Sequence, residues 1–258
     1  MPAEKTTGIV VKVVEFSETS CVVTLYTRDF GKITALAKGA RRLRSPFEGA
    51  IDLLATCRLV FLRKSVDKLD LITEAKLLRR FRSASEDLSR LYAGLYAIEL
   101  VAALTDHADS QPELYDLLSQ AVETIDTTRD ANLLTMEILR FELELLRQLG
   151  HQPSLENCVG CGKTVPYDMG APGRVSFGLL AGGVYCQGCR GGKRSVIGLR
   201  PDTLCLMSEL LDPLLLSGDF KLNYAVRGEL RGLLDQYFAF LLGYRPKMQT
   251  WLKEAFRE

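Results

Sequence analysis

Gly8–Ile9–Val10–Val11–Lys12–Val13–Val14 and Ser20–Cys21–Val22–Val23–Thr24–Leu25–Tyr26–Thr27 are rich in β-branched residues, and Arg28–Asp29–Phe30–Gly31 leads from the second run into Lys32–Ile33–Thr34–Ala35–Leu36–Ala37. β-Branched side chains pack well on a pleated surface and are crowded against the preceding turn of a helix, so these runs read as successive strands. After a loop from Lys38 to Pro46, further strands are expected near Ala55–Leu62 and Leu69–Leu77. Five short strands in one small module suit a barrel or sandwich. Five is also the strand count of an OB-type barrel, although other five-stranded barrels share it.

From Ser83 the period changes. Ser83 with Glu86 fits a capping box, and Leu88, Leu91, Tyr92, Leu95 and Ile98 recur at helical spacing. A second helix is expected over Glu113–Ile125. In a third, Leu134, Ile138, Phe141, Leu145 and Leu149 form one face before Gly150. Its opposite face, with Glu137, Glu142 and Glu144, reads as solvated surface. Helices are also expected at Pro201–Leu215, Val226–Leu242 and Met248–Phe256. The fold class is therefore α+β and multidomain, with expected boundaries at 1–80 for the barrel, 81–157 with 196–258 for the helical domain, and 158–195 for an inserted cysteine element.

The 258 residues are 47% hydrophobic and 25% charged, which is ordinary for a globular chain able to bury a core. No apolar run approaches the roughly 20 residues of a membrane span. The N-terminus lacks the basic, apolar and small-residue regions of a signal peptide, so a cytoplasmic location is expected. The net charge of +1 conceals an asymmetry. Residues 1–82 carry 16 basic and 9 acidic side chains, residues 83–157 carry 4 and 14, and residues 158–258 carry 13 and 9. A basic module for a polyanion, joined to an acidic scaffold, is the expected arrangement.

Cys158–Val159–Gly160–Cys161 and Cys186–Gln187–Gly188–Cys189 are two C-x-x-C pairs separated by 24 residues. Each pair lets two thiolates of one turn chelate one ion, with Gly160, Gly162 and Gly188 easing the approach of backbone N–H groups to sulfur. A hairpin between the pairs can bring both together. Four thiolates complete a tetrahedral shell and leave no position for substrate, so Cys158, Cys161, Cys186 and Cys189 are expected to hold one structural Zn²⁺. An iron–sulfur cluster is the alternative. His151 reads as a loop residue rather than a spare ligand, and Cys21, Cys57 and Cys205 as apolar packing.

Lys38–Gly39–Ala40–Arg41–Arg42–Leu43–Arg44–Ser45–Pro46 places four cations on one connection between strands. Such a loop can follow a phosphate backbone. Lys38, Arg41, Arg42 and Arg44 are the candidate DNA contacts, with Arg79, Arg80 and Arg82 as second choices. Further positives lie at Arg63–Lys64 and Lys193–Arg194. Tyr26, Phe30, Phe47 and Phe61 could stack bases, although barrel core is the simpler place for each. The chain has no phosphate-binding G-x-x-x-x-G-K-[ST] loop, no G-x-S-x-G elbow, no H-E-x-x-H and no deaminase H-x-E. Nothing in the residues supports an enzyme.

Four stretches together resemble the bacterial DNA repair and recombination-mediator RecO family. They are Gly8–Val11 through Leu25–Lys32; Lys38–Arg42 with Ser45; Leu146–Leu155 leading into Cys158 and Cys161–Gly162; and Phe177 with Gly182–Cys186 and Cys189. The resemblance weakens beyond about Leu199. It implies an N-terminal OB-fold, a central helical domain and a zinc element. It further implies binding of single- and double-stranded DNA, annealing of complementary strands, and work with RecR in loading RecA onto DNA coated by SSB, whose acidic C-terminal tail is a further contact. A nucleoid-associated, RecF-pathway protein with no membrane partner is the corresponding expectation. Two alternatives remain open: an RNA- or ribosome-associated OB and zinc-ribbon protein, and a protein-interaction scaffold.

Overall fold

The computed structural model describes residues 3–42, 45, 47, 49–64, 68–212 and 223–255. Leu43, Arg44 and Pro46 of the basic loop, and residues 213–215 and 256 of two expected helices, lie outside these. The chain forms two compact units, Met1–Glu137 with Lys247–Glu258, and Ile138–Pro246.

The first unit is built on five strands, β1 (Ala3–Glu15), β2 (Cys21–Thr27), β3 (Gly31–Ala37), β4 (Thr56–Leu62) and β5 (Asp70–Arg79), closed into a barrel in the order β1-β2-β3-β5-β4. All neighbours are antiparallel except β3 and β5, which run parallel from Ala35↔Asp70 to Ala37↔Ile72. This is the Greek-key closure of an OB-type barrel. β1 serves both edges because its register shifts between Val10 and Lys12, so residues 3–9 pair with β4 and residues 8–15 with β2. A bulge bends and twists the strand, which is what closure requires. Alternate side chains then meet inside, among them Val10, Val23, Leu25, Ile33, Leu59, Phe61 and Ile72.

The connection from β3 to β4 is not free of this core. Phe47 and Ala50 insert into it at 2% and 1% exposure. Leu54 is buried too, in a left-handed backbone conformation (φ 66°) that costs a non-glycine residue about 1–3 kcal/mol. Its N–H donates to Val10 O at 3.0 Å.

Three helices belong to this unit: α1 (Leu88–Leu104), α2 (Pro112–Thr127) and α6 (Met248–Ala255), while α3 (Ala131–Gln148) begins in it. The expected capping box at Ser83 is not formed. Ser83 sits in a short 3₁₀ turn and its hydroxyl donates to Asp126 at 2.7 Å. Asp87 caps α1 instead, accepting from the N–H groups of Ser89 and Arg90. The buried face of α1 is Ala93, Tyr96, Ala97, Leu100 and Val101 together with Ile98 of the expected face; Leu91, Tyr92 and Leu95 are half-buried and Leu88 is 61% exposed. Lys32 of β3 donates to Ala102 O and Thr105 O at 2.6 and 2.5 Å. A lysine at a helix C-terminus satisfies carbonyls that the helix itself leaves open.

The second unit holds a three-stranded sheet, β7-β6-β8, formed by β6 (Val175–Gly178), β7 (Gly183–Tyr185) and β8 (Val196–Leu199), with α4 (Pro201–Leu211) and α5 (Tyr224–Leu242). Here the reading of Glu142 as solvated surface is overturned. Leu139, Leu143 and Leu146 on α3 are fully buried, and Glu142 lies among them at 0% exposure. Arg231 of α5 donates to both oxygens of Glu142, at 2.6 and 2.5 Å, and through Nε to Asp235 at 3.0 Å. Burying a carboxylate is costly unless it is paired and hydrogen-bonded, and the bidentate guanidinium does both.

Because removing one member of a buried pair strands the other, Arg231→Met is expected to cost about 3–5 kcal/mol in urea-induced unfolding. Adding Glu142→Gln should recover part of that loss. A single variant within 1 kcal/mol of wild type would contradict this role for the pair.

Candidate metal centre and nucleic-acid interface

The four cysteines of the two C-x-x-C pairs converge. Their Sγ atoms all lie within 4.8 Å of one another, with Cys158 buried, Cys186 and Cys189 half-buried and Cys161 exposed. The first knuckle is made by Cys158 N–H donating to Lys163 O and Gly162 N–H to Cys158 O, both at 2.8 Å; Gly162 takes φ +73°. The second is the turn in which Cys189 N–H donates to Cys186 O at 3.1 Å. The expected hairpin between them exists as β6–β7. The first knuckle lies along β7: Val159 N–H donates to Val184 O, and the N–H of Val184 donates to Ser154 O. That approach needs Gly183, where a Cβ would stand 2.6 Å from Ser154 O. Gly160 is tightly placed as well, since a Cβ there would stand 3.0 Å from the Cβ of Cys189. Gly188, expected to serve the same purpose, faces open space without positive φ, and nothing around it requires a glycine.

The donor set suits a metal ion that prefers soft ligands in a closed tetrahedral shell. The N–H groups of Cys186 and Gly160 point at Cys158 Sγ from 3.3 and 3.4 Å. They hold its thiol down to about 6, while the neighbouring thiols push Cys189 up to about 12. The thiolate of Cys158 is thus favoured before any ion is counted, and that of Cys189 is opposed by its neighbours. His151 is exposed and contributes its carbonyl, which accepts from Tyr237 of α5 at 3.1 Å. Tyr237 also crosses Gly182, so α5 braces the loop that leads into β7. Cys21 and Cys57 are core residues as expected, whereas Cys205 is only half-buried.

The basic candidates fall into two groups. Lys38, Arg41 and Arg42 are exposed on the turn after β3, which is fixed by Arg41 N–H donating to Thr19 O and by Gly39 at φ +80°. Arg41 also pairs with Glu15 at 2.9 Å, both side chains being well exposed. Such a pair is worth less than about 1 kcal/mol and can yield to a phosphate. Arg80 and Arg82 are exposed, and among the described residues neither makes an ion pair. Arg80 lies over Gly49, so the second group, which follows β5, sits beside the later part of the connection that carries the first. Arg79 is differently employed: it pairs with Glu123 and donates to Ser119 O at 2.9 Å, fastening the end of β5 to α2.

Of the four aromatic candidates, Tyr26, Phe47 and Phe61 are core, and Phe30 alone is half-buried. Its ring packs edge-on against Phe61 at 5.4 Å beneath the Arg63 guanidinium at 5.2 Å. Asp52 and Leu53, which border Arg80 and Arg82 in space, had no distinguishing signal in the sequence.

An OB-type barrel with a cationic inter-strand loop, followed by helices and a four-thiol metal element, defines a class of nucleic-acid-associated fold. The family model "Recombination protein O N terminal" matches residues 1–81, and "Recombination protein O C terminal" matches residues 85–249. Several curated relatives named DNA repair protein RecO are similar along nearly their whole length. The one from Rhodopirellula baltica is 38% identical, over 96% of this chain and 98% of the relative. Those from Symbiobacterium thermophilum and Myxococcus xanthus are each 34% identical, over 96% of this chain and 94% and 96% of theirs. The chain belongs to the RecO family of DNA repair proteins. Among its described residues no helix is long and apolar enough to cross a membrane.

Elemental analysis of purified protein is expected to return one metal ion per chain. Cys161 is exposed, so Cys161→Ser disturbs little packing; it should lower metal content and lead hydrogen exchange across residues 154–199 to accelerate. Unchanged metal content together with unchanged exchange would contradict a metal-organised segment.

Proposed function

We propose that the protein is a recombination mediator in DNA repair that works by binding rather than by bond chemistry. The exposed Lys38, Arg41 and Arg42, followed in the sequence by Arg44, carry this reading, with Arg80 and Arg82 beside the later part of the same connection. A cationic surface of this kind lowers the repulsion between two phosphate backbones and raises the local concentration of strands. Annealing of complementary strands then follows from binding single- and double-stranded DNA. In the same reading the protein acts with RecR to load RecA onto SSB-coated DNA and contacts the acidic tail of SSB. The ion of the four thiols is zinc, in a structural role. Its binding free energy becomes folding free energy for residues 158–195, so losing it weakens DNA binding indirectly. Arg79, tied to α2, contributes less to DNA than Arg80 and Arg82.

The test is the affinity for a labelled single-stranded oligonucleotide across a salt series, for wild type and for Arg41→Ala/Arg42→Ala/Arg44→Ala. Wild type should bind tightly without sequence preference of more than a few-fold. The log–log salt slope should be about 0.7 per phosphate contacted, and the triple variant should be shallower by about 2. Binding that ignores salt, or a triple variant with the wild-type slope, would overturn the placement of DNA on this loop.

A further inference from the structure

Beside the second cationic group the first unit encloses an open cavity of about 490 Å³. Leu53 is its exposed apolar side chain and Ala55 and Phe81 lie buried at its floor; Arg80 and Arg82 stand at it, as do Asp52, Ser85 and Glu86. We propose that this cavity receives one unpaired nucleotide of a bound strand, with the base in the apolar slot and its flanking phosphates on Arg80 and Arg82. The proposal rests on the DNA-binding reading above and adds to it a site for a base, where that reading invokes only phosphate contacts.

Three observations carry it. The slot is preformed. Ala55 and Phe81 are buried at 1% and 6% exposure, and Phe81 and the adjacent Leu54 pack onto α1 at Gly94, where a Cβ would stand 3.1 and 3.0 Å from them. The left-handed turn at Leu54 is held against β1 by its hydrogen bond to Val10, and backbone strain of this kind persists only where the surroundings impose it. A wall fixed in this way does not collapse when empty, and its volume falls in the range of small-ligand clefts.

The second observation is Leu53. It remains 45% exposed while Leu54 beside it is 2% exposed, so much of an apolar side chain is left open to solvent at the mouth of the cavity. The third is the charge pattern. Neither arginine approaches Asp52 or Glu86 within ion-pair distance, and Glu86 instead lies 3.9 Å from Arg90. A ligand suited to this lining offers acceptors to the guanidiniums and donors to the carboxylates around an apolar plane. A nucleotide does this with its phosphate oxygens, the exocyclic amino group of adenine, cytosine or guanine, and the base face. An acidic peptide would satisfy the arginines but brings no flat apolar ring with amino donors on its edge for the carboxylates. The same chemistry makes thymine, which lacks an exocyclic amine, the least favoured occupant.

The experiment uses the full chain and a single-stranded oligonucleotide with one 2-aminopurine, whose emission is quenched by stacking on neighbouring bases and rises when the base leaves the stack. Wild type should raise that emission on binding. Leu53→Gln is neutral and lies on the surface, so it should fold normally, leave the salt slope unchanged, weaken binding about fivefold and abolish most of the rise. Leu133→Gln, at a residue 60% exposed outside the cavity, should behave as wild type. If the oligonucleotide binds with a normal salt slope but emission stays at its free value, or if Leu53→Gln matches wild type, the cavity proposal fails and the DNA-binding reading stands. If no oligonucleotide binds at any salt concentration, the DNA-binding reading itself fails and the cavity proposal with it.

Discussion

Phe47 is the residue on which the placement of the cationic surface rests. The connection between β3 and β4 is long and basic, and left to itself a segment of that kind would be a solvated loop. Its ring enters the barrel core at 2% exposure with Ala50, and Leu54 follows at 2%. Truncating a buried phenylalanine costs about 3–5 kcal/mol, so this single insertion outweighs any one surface ion pair in the unit. The mutual repulsion of Lys38, Arg41 and Arg42 is thereby met by apolar burial further along the same connection. Cations held in fixed positions pay less ordering entropy when a phosphate backbone arrives.

The barrel makes that anchoring possible. Closure through the bulge in β1 and the parallel pairing of β3 with β5 brings the end of β5 to the end of the loop, where Arg80 crosses Gly49. One arginine of that end, Arg79, is tied to α2, and the next cations in the chain are left for solvent. The second unit solves a different problem. Its sheet has three short strands, too few to bury much on their own, and it is held by convergence of four thiols, by Tyr237 on the loop before β7, and by Glu229 of α5. Glu229 accepts from Arg174, Arg200 N–H and Thr203 at 2.7, 2.8 and 2.6 Å. Cross-links of this kind commonly replace a large apolar core in small segments.

Much of this was legible in the sequence because the signals were local. Strands, helices and knuckles each announce themselves by the spacing of side chains within a dozen residues, and the four cysteines could be assigned to one cluster because their chemistry leaves few other uses. What was not legible depended on partners distant in the chain. Ser83 and Glu86 have the pattern of a capping box, but Asp126 takes the Ser83 hydroxyl and Asp87 offers a better cap one residue from Leu88. Glu142 reads as solvent-facing by residue type, although its spacing of three from Leu139 and four from Leu146 sets it on a second buried stripe; its pairing with Arg231, 89 residues away, explains how a carboxylate can lie there. Arg79, Arg80 and Arg82 are equivalent as letters. Their different uses follow from which of them meets Glu123, Gly49 or open water.

In the proposed function DNA lies on the barrel's cationic connection and not on the acidic helices. Hydrogen–deuterium exchange of the full chain, with and without a saturating mixed-sequence single strand, tests it most directly. Slowed exchange is expected at residues 36–42 and 79–86, with residues 112–148 unchanged. Protection confined to α2 and α3, with the barrel connection exchanging as in the free protein, would contradict the account.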